Sequence, residues 1–574
     1  MRTETKTLAL LWLGLFCLFL CTAHGNLEST DSGITMHSAR ALWLRGDSGM
    51  RLGPEAEPLD EALIARVIAD SGGRAYGKIG KDGAHAYAWF PIGHVWLMVP
   101  CVAAGEAIAR LFPAIERRYR DLTAPGVEDA DLPMAASYRD GHYVFDHALV
   151  SMTLPAAFGA TSVLLLYLLA RALSASTRDS LISALAIAFG TQFFPLARET
   201  LSDGPGLAFL LGALASAIAH AEGMAGRATL LAGGALCGAA VLTRYAHGLL
   251  APFLLLEVAL AARRRGRIRD AFFFAAGGVP FAILLAAVDH SRFGNAADTG
   301  YPPFSSWFQV TPWIGVPKLL IAGGKGILWF SPLLWLGLPF LVRSRGIRHL
   351  RFARIAFLGL LVLFGSTQGW QSGQCWGARY VTPGIVILLG IALPQALPWA
   401  RRRRAFLALA SLGVFVNLTS VLAPTHGHNQ LAAQALEAHY RGELEAGRIT
   451  EEDLRAVLAD PADRYFFEWR YSPLHANWTY AWLSWTGRFG DDQLAPKRSV
   501  ADTIEPLFGV TSADEAFGLA PTRWEDRGFR HLWFVFWGAL LRVPPWSLLL
   551  PVLAAAGVSL AVSVRRLSRN RSSP

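Results

Sequence analysis

The chain has 574 residues and a mean hydropathy of +0.34; 53% of the residues are hydrophobic and only 17% are charged. This composition excludes an ordinary soluble enzyme, and because the apolar residues fall into runs long enough to cross a bilayer, it indicates an integral membrane protein. The net charge of +10 does not indicate nucleic-acid binding, because the arginines cluster in short loops between the apolar runs, where they act as topology signals.

The first 25 residues predict an N-terminal transmembrane helix. Arg2 and Lys6 precede an apolar run from Leu8 to Cys21. A cleavable signal peptide has the same pattern, and the small residues near Ala23 and Gly25 suit a cleavage site. We interpret residues 1–25 as an uncleaved signal anchor, because the rest of the chain contains many further apolar runs.

Residues 26–147 are predicted to form a long first extracytoplasmic loop. Within it, Asp31 is a good N-cap for a short amphipathic helix from Ser32 to Arg45. The apolar run at 89–111 is predicted to be a re-entrant or interfacial helix, or a helical hairpin that enters and leaves the membrane. A single crossing there would place the downstream basic loops outside, against the positive-inside rule.

Residues 148–423 contain about ten further apolar runs and are predicted to form the transmembrane core. An extracytoplasmic domain at 424–544 follows, and 545–574 form the last transmembrane helix and a basic cytoplasmic tail. The predicted fold class is therefore an all-α polytopic membrane protein of about 12 transmembrane helices, with both termini in the cytoplasm. The basic loops that set this topology are 171–178, 263–267, 343–354, 401–404 and 565–571.

The segments predicted to lie outside are long and contain most of the unusual charged and aromatic residues, so we expect the functional site there. The candidates are Asp31, His37, Arg198, Glu199, Asp203, Arg244, Tyr301, Lys325, Trp376 and Arg379. Structural roles stay open, since Asp31 and Asp203 suit helix caps and Lys325 suits a snorkelling lysine in a glycine turn. Arg379 differs, because an arginine at the outer mouth of a span needs an anionic partner, either a carboxylate or a lipid phosphate.

No Walker loop, Rossmann fingerprint, HExxH or GxSxG motif occurs in the sequence. Their absence argues against nucleotide-driven transport and against the common hydrolases. The five cysteines show neither metal-ligand spacing nor a disulfide framework.

Several short motifs follow one another along residues 1–423. They are Thr30-Asp31, Ala39-Arg40-Ala41-Leu42, Phe90-Pro91-Ile92-Gly93, Ala197-Arg198-Glu199 with Asp203, Arg292-Phe293-Gly294, Thr299-Gly300-Tyr301, Gly324-Lys325-Gly326, Ser331-Pro332, and Trp376-Gly377-Ala378-Arg379-Tyr380 with Pro383. In order and spacing, this series resembles the GT-C class of glycosyltransferases that use polyprenyl-phosphate-linked sugars, related to protein O-mannosyltransferases and lipid A aminoarabinose transferases.

The resemblance implies an inverting sugar transfer at the extracytoplasmic face, with Asp31 as the general base for the acceptor. Related first loops often carry two adjacent acids, whereas Ser32 follows Asp31 here. A metal site of that kind is therefore not predicted and no cofactor is expected to be required, although a divalent metal stays open.

A polyprenyl monophosphate is an acceptable leaving group when cations neutralise its developing charge. We therefore predict that Arg379, Lys325 and Arg198 bind the donor phosphate. The residues predicted to bind the sugar or the acceptor are Glu199, Asp203, Arg244, Tyr301, Trp376 and His37.

The predicted function is the transfer of a hexose or pentose from a polyprenyl-phosphate donor to a protein, lipid or glycan acceptor in the cell envelope, in a bacterial plasma membrane. Its partners would be the donor, the acceptor and membrane lipids. A flippase or transporter of lipid-linked sugars is one alternative, but it predicts charged residues buried mid-span and paired repeats. A glycan polymerase or ligase, and a non-catalytic scaffold that binds a partner through 424–544, are the others.

Overall fold

The structure of the protein is a computed structural model. It describes residues 2–25, 27, 30–52, 59–72, 76–123, 144–343, 347–373, 375–396, 403–422, 432, 436–437, 439–459, 464, 466–474, 476–478 and 532–569. Most of the segment predicted to be an extracytoplasmic domain, 424–544, lies outside these residues.

The described part of the chain is mostly helical, as predicted. Its helices in the first half are α1 (Arg2–Leu20), α2 (Thr30–Arg45), α3 (Leu59–Asp70), α4 (Ile92–Leu111), α5 (Pro113–Thr123), α6 (Val144–Ala148), α7 (Leu154–Ala172), α8 (Thr177–Gly190), α9 (Phe193–Leu196), α10 (Asp203–Ala221), α11 (Arg227–Thr243), α12 (Ala251–Arg264) and α13 (Asp270–Phe293). Those in the second half are α14 (Pro312–Ile321), α15 (Ile327–Phe330), α16 (Leu334–Gly337), α17 (Pro339–Val342), α18 (Leu350–Gly365), α19 (Thr382–Ala396), α20 (Arg403–Leu422), α21 (Glu451–Ala459), α22 (Trp533–Leu541) and α23 (Pro545–Arg569). A π-helical turn, Leu149–Thr153, joins α6 to α7.

Eight helical stretches of the described residues are long and apolar enough to cross a membrane. They are Ile92–Leu111, Val144–Ala172, Asp203–Ala221, Tyr245–Arg264, Asp270–Phe293, Arg379–Ala396, Arg404–Val421 and Pro545–Ser568. The chain is thus an all-α polytopic membrane protein in coarse outline. One predicted span, at 327–342, is interrupted, because Pro332 and Pro339 divide the apolar run into α15, α16 and α17.

Two central helices carry candidate residues at their first positions. The stretch that begins at Asp203 is 72% buried inside the protein, and the one that begins at Arg379 is 89% buried, whereas Asp270–Phe293 is only 11% buried. A helix that is apolar on every side, such as α19, can be surrounded by other helices without exposing polar groups. Asp203 and Arg379 are therefore buried residues at the ends of two interior helices of the bundle.

The first loop contains a small antiparallel sheet that the all-α prediction missed. Its strands are β1 (Met50–Arg51), β2 (Gly77–Ile79) and β3 (His85–Ala88), in the order β1-β3-β2. The turn between β2 and β3 contains Gly83 with a φ of +67°, and the Asp82 carboxylate accepts hydrogen bonds from two backbone amides of the turn. The strands are too short for an alternating pattern to reveal them.

The apolar run at 89–111 forms α4, a single continuous helix that includes Pro100 and packs against α2. It is not a hairpin that turns back within the membrane. The sheet is attached to the bundle nearby, because the Lys81 amide donates to the Arg292 carbonyl at the end of α13. Trp89 follows β3 directly, so the sheet fixes where this tryptophan lies.

Candidate active site

A cavity of about 1420 Å³ lies between α2, the start of α4, the start of α10 and the loops that precede α14 and α19. Five of the ten candidate residues line it. They are Asp31, Asp203, Arg244, Tyr301 and Arg379. Residues separated by more than 300 positions in the sequence thus converge on one space, and each comes from an end of a helix or from a loop.

Asp203 and Arg244 form a buried ion pair in the cavity wall. The Asp203 side chain is only 1% exposed, and its carboxylate lies 2.9 Å from the Arg244 guanidinium, which also donates to the Ser202 hydroxyl. A buried carboxylate requires such a partner, because removing an unpaired charge from water is costly. The pair keeps a positively charged side chain at the cavity surface, since Arg244 stays 17% exposed.

Asp31 faces Arg379 across the same part of the cavity, with 3.7 Å between carboxylate and guanidinium. This distance is too long for a hydrogen bond, so the two groups attract each other without a direct hydrogen bond between them. Asp31 is 33% exposed and Arg379 only 11%. The Arg379 Nε is buried and has no hydrogen-bond partner among the described residues.

Burial raises the pKa of the Asp31 carboxyl above its ordinary value, against the opposing effect of the positive charges on Arg379 and Arg244. A carboxylate with a raised pKa is a stronger base than one on an open surface. Asp31 is in the first turn of α2, which begins at Thr30, and not at the predicted N-cap. There it still interacts favourably with the helix dipole.

Three hydrogen bonds, from Ser32 and Gln192, hold these charges in place. The Ser32 hydroxyl donates to the Thr200 carbonyl over 2.8 Å, which ties the start of α2 to the loop that leads into Asp203. The buried Gln192 amide donates to the Ala378 carbonyl and to the Thr382 hydroxyl, on either side of Arg379. Tyr380 lies between the two arginines, with ring-to-guanidinium distances of 4.9 Å for Arg244 and 5.1 Å for Arg379.

An aromatic wall of four residues, Trp89, Tyr245, Tyr301 and Trp307, lines another part of the cavity. Trp89 and Tyr301 stack almost in parallel, with ring centroids 5.1 Å apart, while Tyr245 and Trp307 meet Tyr301 edge to face. Burial raises the pKa of Tyr301, so its hydroxyl stays protonated. Among the four, only Tyr301 was predicted; the other three occur in predicted outer loops or at helix ends, where a tryptophan or tyrosine also suits the membrane interface.

Lys325 does not line the cavity. Its buried ammonium donates to the Gly373 carbonyl over 2.8 Å and to the Cys375 carbonyl, and it lies 4.2 Å from the Phe466 ring centroid. Burial lowers the pKa of Lys325 to about 8, although Cys375 and Glu199 act in the opposite direction. Lys325 thus holds the loop that precedes Arg379.

Arg198 and Trp376 also lie outside the cavity lining. The buried Arg198 guanidinium donates to the Thr22 carbonyl over 2.6 Å and to the Ser420 carbonyl over 3.0 Å, so it joins the ends of α1 and α20. The Trp376 indole donates to the Asn417 side chain over 3.2 Å, in the core. These three contacts fix the framework around the cavity.

Glu199 and His37 complete the set of candidates that do not line the cavity. Glu199 is half-buried, and its charge acts on Lys325. His37 is buried within α2, on the part of the helix that also carries Arg40, whose guanidinium pairs with Asp146 over 2.8 Å. Across the residues that the structure describes, no three His, Cys, Asp or Glu side chains come together in a group suited to a metal ion.

Residues 136–288 match the model of the dolichyl-phosphate-mannose-protein mannosyltransferase family. The match supports a GT-C glycosyltransferase. It spans about a quarter of the chain and includes Asp203 and Arg244, but neither Asp31 nor Arg379. No curated protein and no solved structure matches the chain.

The match supports, at a coarse level, a membrane glycosyltransferase that uses a polyprenyl-phosphate sugar donor. The cavity has the groups that such chemistry needs. A carboxylate can accept a proton from a hydroxyl, guanidinium groups can bind a phosphate through two parallel hydrogen bonds, and aromatic rings can contact a sugar face.

Proposed function

We propose that the protein transfers a sugar, with inversion, from a polyprenyl-phosphate carrier to an acceptor hydroxyl bound in the cavity at the extracytoplasmic face. The observation that supports this best is the convergence of Asp31, Asp203, Arg244 and Arg379 on one cavity beside an aromatic wall. Each residue comes from a different part of the chain, so sequence proximity does not explain their meeting.

The donor phosphate would bind to Arg379 and Arg244. Both guanidiniums reach the cavity, both are mostly buried, and both contact Tyr380, which orients them without neutralising them. Asp203 balances the charge of Arg244, whereas Asp31 lies too far from Arg379 to hold it in a hydrogen bond. Arg379 is therefore the more available cation for the leaving group.

Asp31 would act as the general base. The acceptor oxygen attacks the anomeric carbon from the side opposite the phosphate, a new carbon–oxygen bond forms, and the bond to the phosphate oxygen breaks. The acceptor proton passes to Asp31, and the polyprenyl monophosphate leaves with the bonding electrons. The anomeric configuration inverts because a single displacement occurs.

The aromatic wall would hold the sugar or the acceptor by contact with the outside of the Trp89–Tyr301 stack, because both rings line the cavity and stack on each other. Lys325 and Arg198, predicted at first as phosphate ligands, would instead be positioning residues. Lys325 supports the loop before Arg379, and Arg198 fixes the helix ends beside the cavity. Neither a hexose nor a pentose is favoured by these contacts.

The test is a transfer assay with the purified full-length protein in lipid nanodiscs. Radiolabelled sugars on polyprenyl monophosphate and on polyprenyl diphosphate are supplied separately, with a delipidated cell-envelope fraction as the source of acceptors. We expect label to leave the monophosphate donor and to appear in the acceptor, with free polyprenyl phosphate released in equal amount. Transfer from the diphosphate donor alone would favour a polymerase or ligase instead.

The flippase alternative is separated by a second arm in sealed vesicles. A flippase moves the intact donor between leaflets without releasing polyprenyl phosphate, whether or not an acceptor is present. Donor movement without sugar transfer in this arm would overturn the proposal.

A further inference from the structure

A second cavity, of about 520 Å³, lies at the other end of the helices that carry the candidate active site. Asp203 begins α10, and Glu222, at the second cavity, follows its last residue. A helix of 19 residues is about 28 Å long, which is close to the thickness of a bilayer core. The two cavities therefore open toward opposite membrane faces, and the second lies on the face where the positive-inside rule places the basic loops.

Five arginines and two glutamates line this space, which we call the arginine pocket. The arginines are Arg264, Arg265, Arg348, Arg351 and Arg354. Arg264 and Arg265 come from the end of α12, Arg348 precedes α18, and Arg351 and Arg354 lie in its first turns. Two segments distant in sequence thus bring an excess of positive charge to one concave site.

Both glutamates are already neutralised within the protein. Glu222 pairs with Arg348 and accepts from His349 over 2.9 Å, and Glu257 pairs with Arg351 and lies 3.5 Å from the other nitrogen of His349. Burial alone would lower the pKa of His349, but its hydrogen bonds to Glu257 and Glu222 outweigh burial and raise the pKa. The carboxylates are therefore held by Arg348, Arg351 and His349.

Of the remaining three arginines, Arg265 donates to the His220 carbonyl over 2.6 Å, whereas Arg354 and Arg264 keep donor capacity that nothing in the described residues uses. Arg354 donates through Nε to the Phe340 carbonyl over 2.8 Å, while one of its terminal nitrogens is buried and has no hydrogen-bond partner among the described residues. Arg264 is exposed, and the hydrogen bonds and ion pairs of the described residues do not include it. Leu350 and Arg351, in the first turn of α18, line the pocket, and the positive end of the helix dipole there adds a further preference for an anion.

We propose that the arginine pocket binds a phosphate group. The membrane boundary passes close to it, because Leu256 and Leu358, on the two helices that line it, are exposed apolar side chains. An anionic phospholipid headgroup fits this position, and a soluble phosphomonoester has the same recognisable chemistry. The proposal concerns a site separate from the transfer reaction and does not depend on it.

The experiment measures lipid retention by the full-length protein. Nanodiscs of phosphatidylcholine with 20% phosphatidylglycerol, as the probe, are dissolved in mild detergent, and the number of bound phosphatidylglycerol molecules is determined by native mass spectrometry. We expect Arg264→Gln to weaken retention about tenfold, because one charge-assisted contact is lost. Arg264→Gln should leave the fold intact, since this exposed side chain makes no hydrogen bond or ion pair with the described residues.

The matched control is Arg565→Gln, which removes one positive charge from the basic tail on the same predicted face but outside the pocket. A parallel arm adds glycerol 1-phosphate at millimolar concentration; displacement of the lipid at that concentration assigns the site to soluble phosphates, and lack of displacement assigns it to the lipid. Equal losses in Arg264→Gln and Arg565→Gln, or no loss in either, would overturn the proposal.

Discussion

Removal of the Arg379 guanidinium should slow the transfer step itself. In Arg379→Met the side-chain volume is largely kept, but the cation that lies 3.7 Å from Asp31 and is only 11% exposed is lost. Removing one preorganised donor to a developing anion costs about 2.7–4 kcal/mol, or about 10²–10³ in rate. The low exposure of Arg379 favours the upper half of that range, because water cannot replace the missing charge.

The loss of Arg379 should also change the pH dependence. The positive charge of Arg379 lowers the pKa of Asp31, so in Arg379→Met that pKa rises further and the acidic limb of the kcat/KM profile moves to higher pH. The assay is kcat/KM for transfer between pH 5 and pH 9, with Arg110→Met as the control, since Arg110 is an exposed arginine outside the cavity. A loss of less than tenfold with an unmoved acidic limb would refute the reasoning.

Three further predictions concern residues of the same region. Burial raises the folded-state pKa of Asp31, so its protonated form contributes stability fully below the unfolded-state pKa, and this contribution is lost as the pH rises through the folded-state pKa. At pH 7.5 the partly buried side chain is a carboxylate that costs stability, whereas the asparagine amide is neutral. Asp31→Asn should therefore melt at or above the wild-type temperature at pH 7.5, as measured by thermal unfolding in detergent. Because the folded-state pKa of Lys325 is lowered to about 8 and the unfolded value is about 10.4, the unfolded chain binds more protons between these values, so the melting temperature should rise with pH in that window and Lys325→Met should remove this rise. Trp89→Ala should raise KM for donor or acceptor about two- to tenfold with little change in kcat, because one stacking face is lost; an unchanged KM for both would contradict the aromatic wall as a binding surface.

Five of the ten candidate residues line one cavity. The sequence could indicate this, because all five lie at helix ends or in loops that the predicted topology places on the same face. Once the basic loops fix the topology, Asp203 and Arg379 must both lie where apolar runs meet an outer loop. The order of the motifs then assigns Asp31 to the same face. Burial of the helices that begin at Asp203 and Arg379 at the centre of the bundle follows from their uniformly apolar composition.

The candidates that do not line the cavity show which information the sequence does not contain. A lysine between two glycines has the same local pattern whether its ammonium binds a phosphate or the carbonyls of Gly373 and Cys375, nearly fifty residues away. Arg198 is similar, because its partners Thr22 and Ser420 lie 176 and 222 residues away in the sequence. Only tertiary packing decides whether such a cation binds a phosphate or a backbone carbonyl. Lys325 and Arg198 are both buried by neighbours that the hydrophobic periodicity of the sequence does not identify.

The central claim is that the cavity performs transfer with Asp31 as the base. The most direct test is kcat/KM for sugar transfer from polyprenyl monophosphate by Asp31→Asn in nanodiscs, compared with Asp82→Asn, which removes an exposed carboxylate of the first loop outside the cavity. We predict a fall of about 10²–10⁴ for Asp31→Asn and less than about threefold for Asp82→Asn. A folded Asp31→Asn protein that transfers sugar as fast as Asp82→Asn would contradict the account.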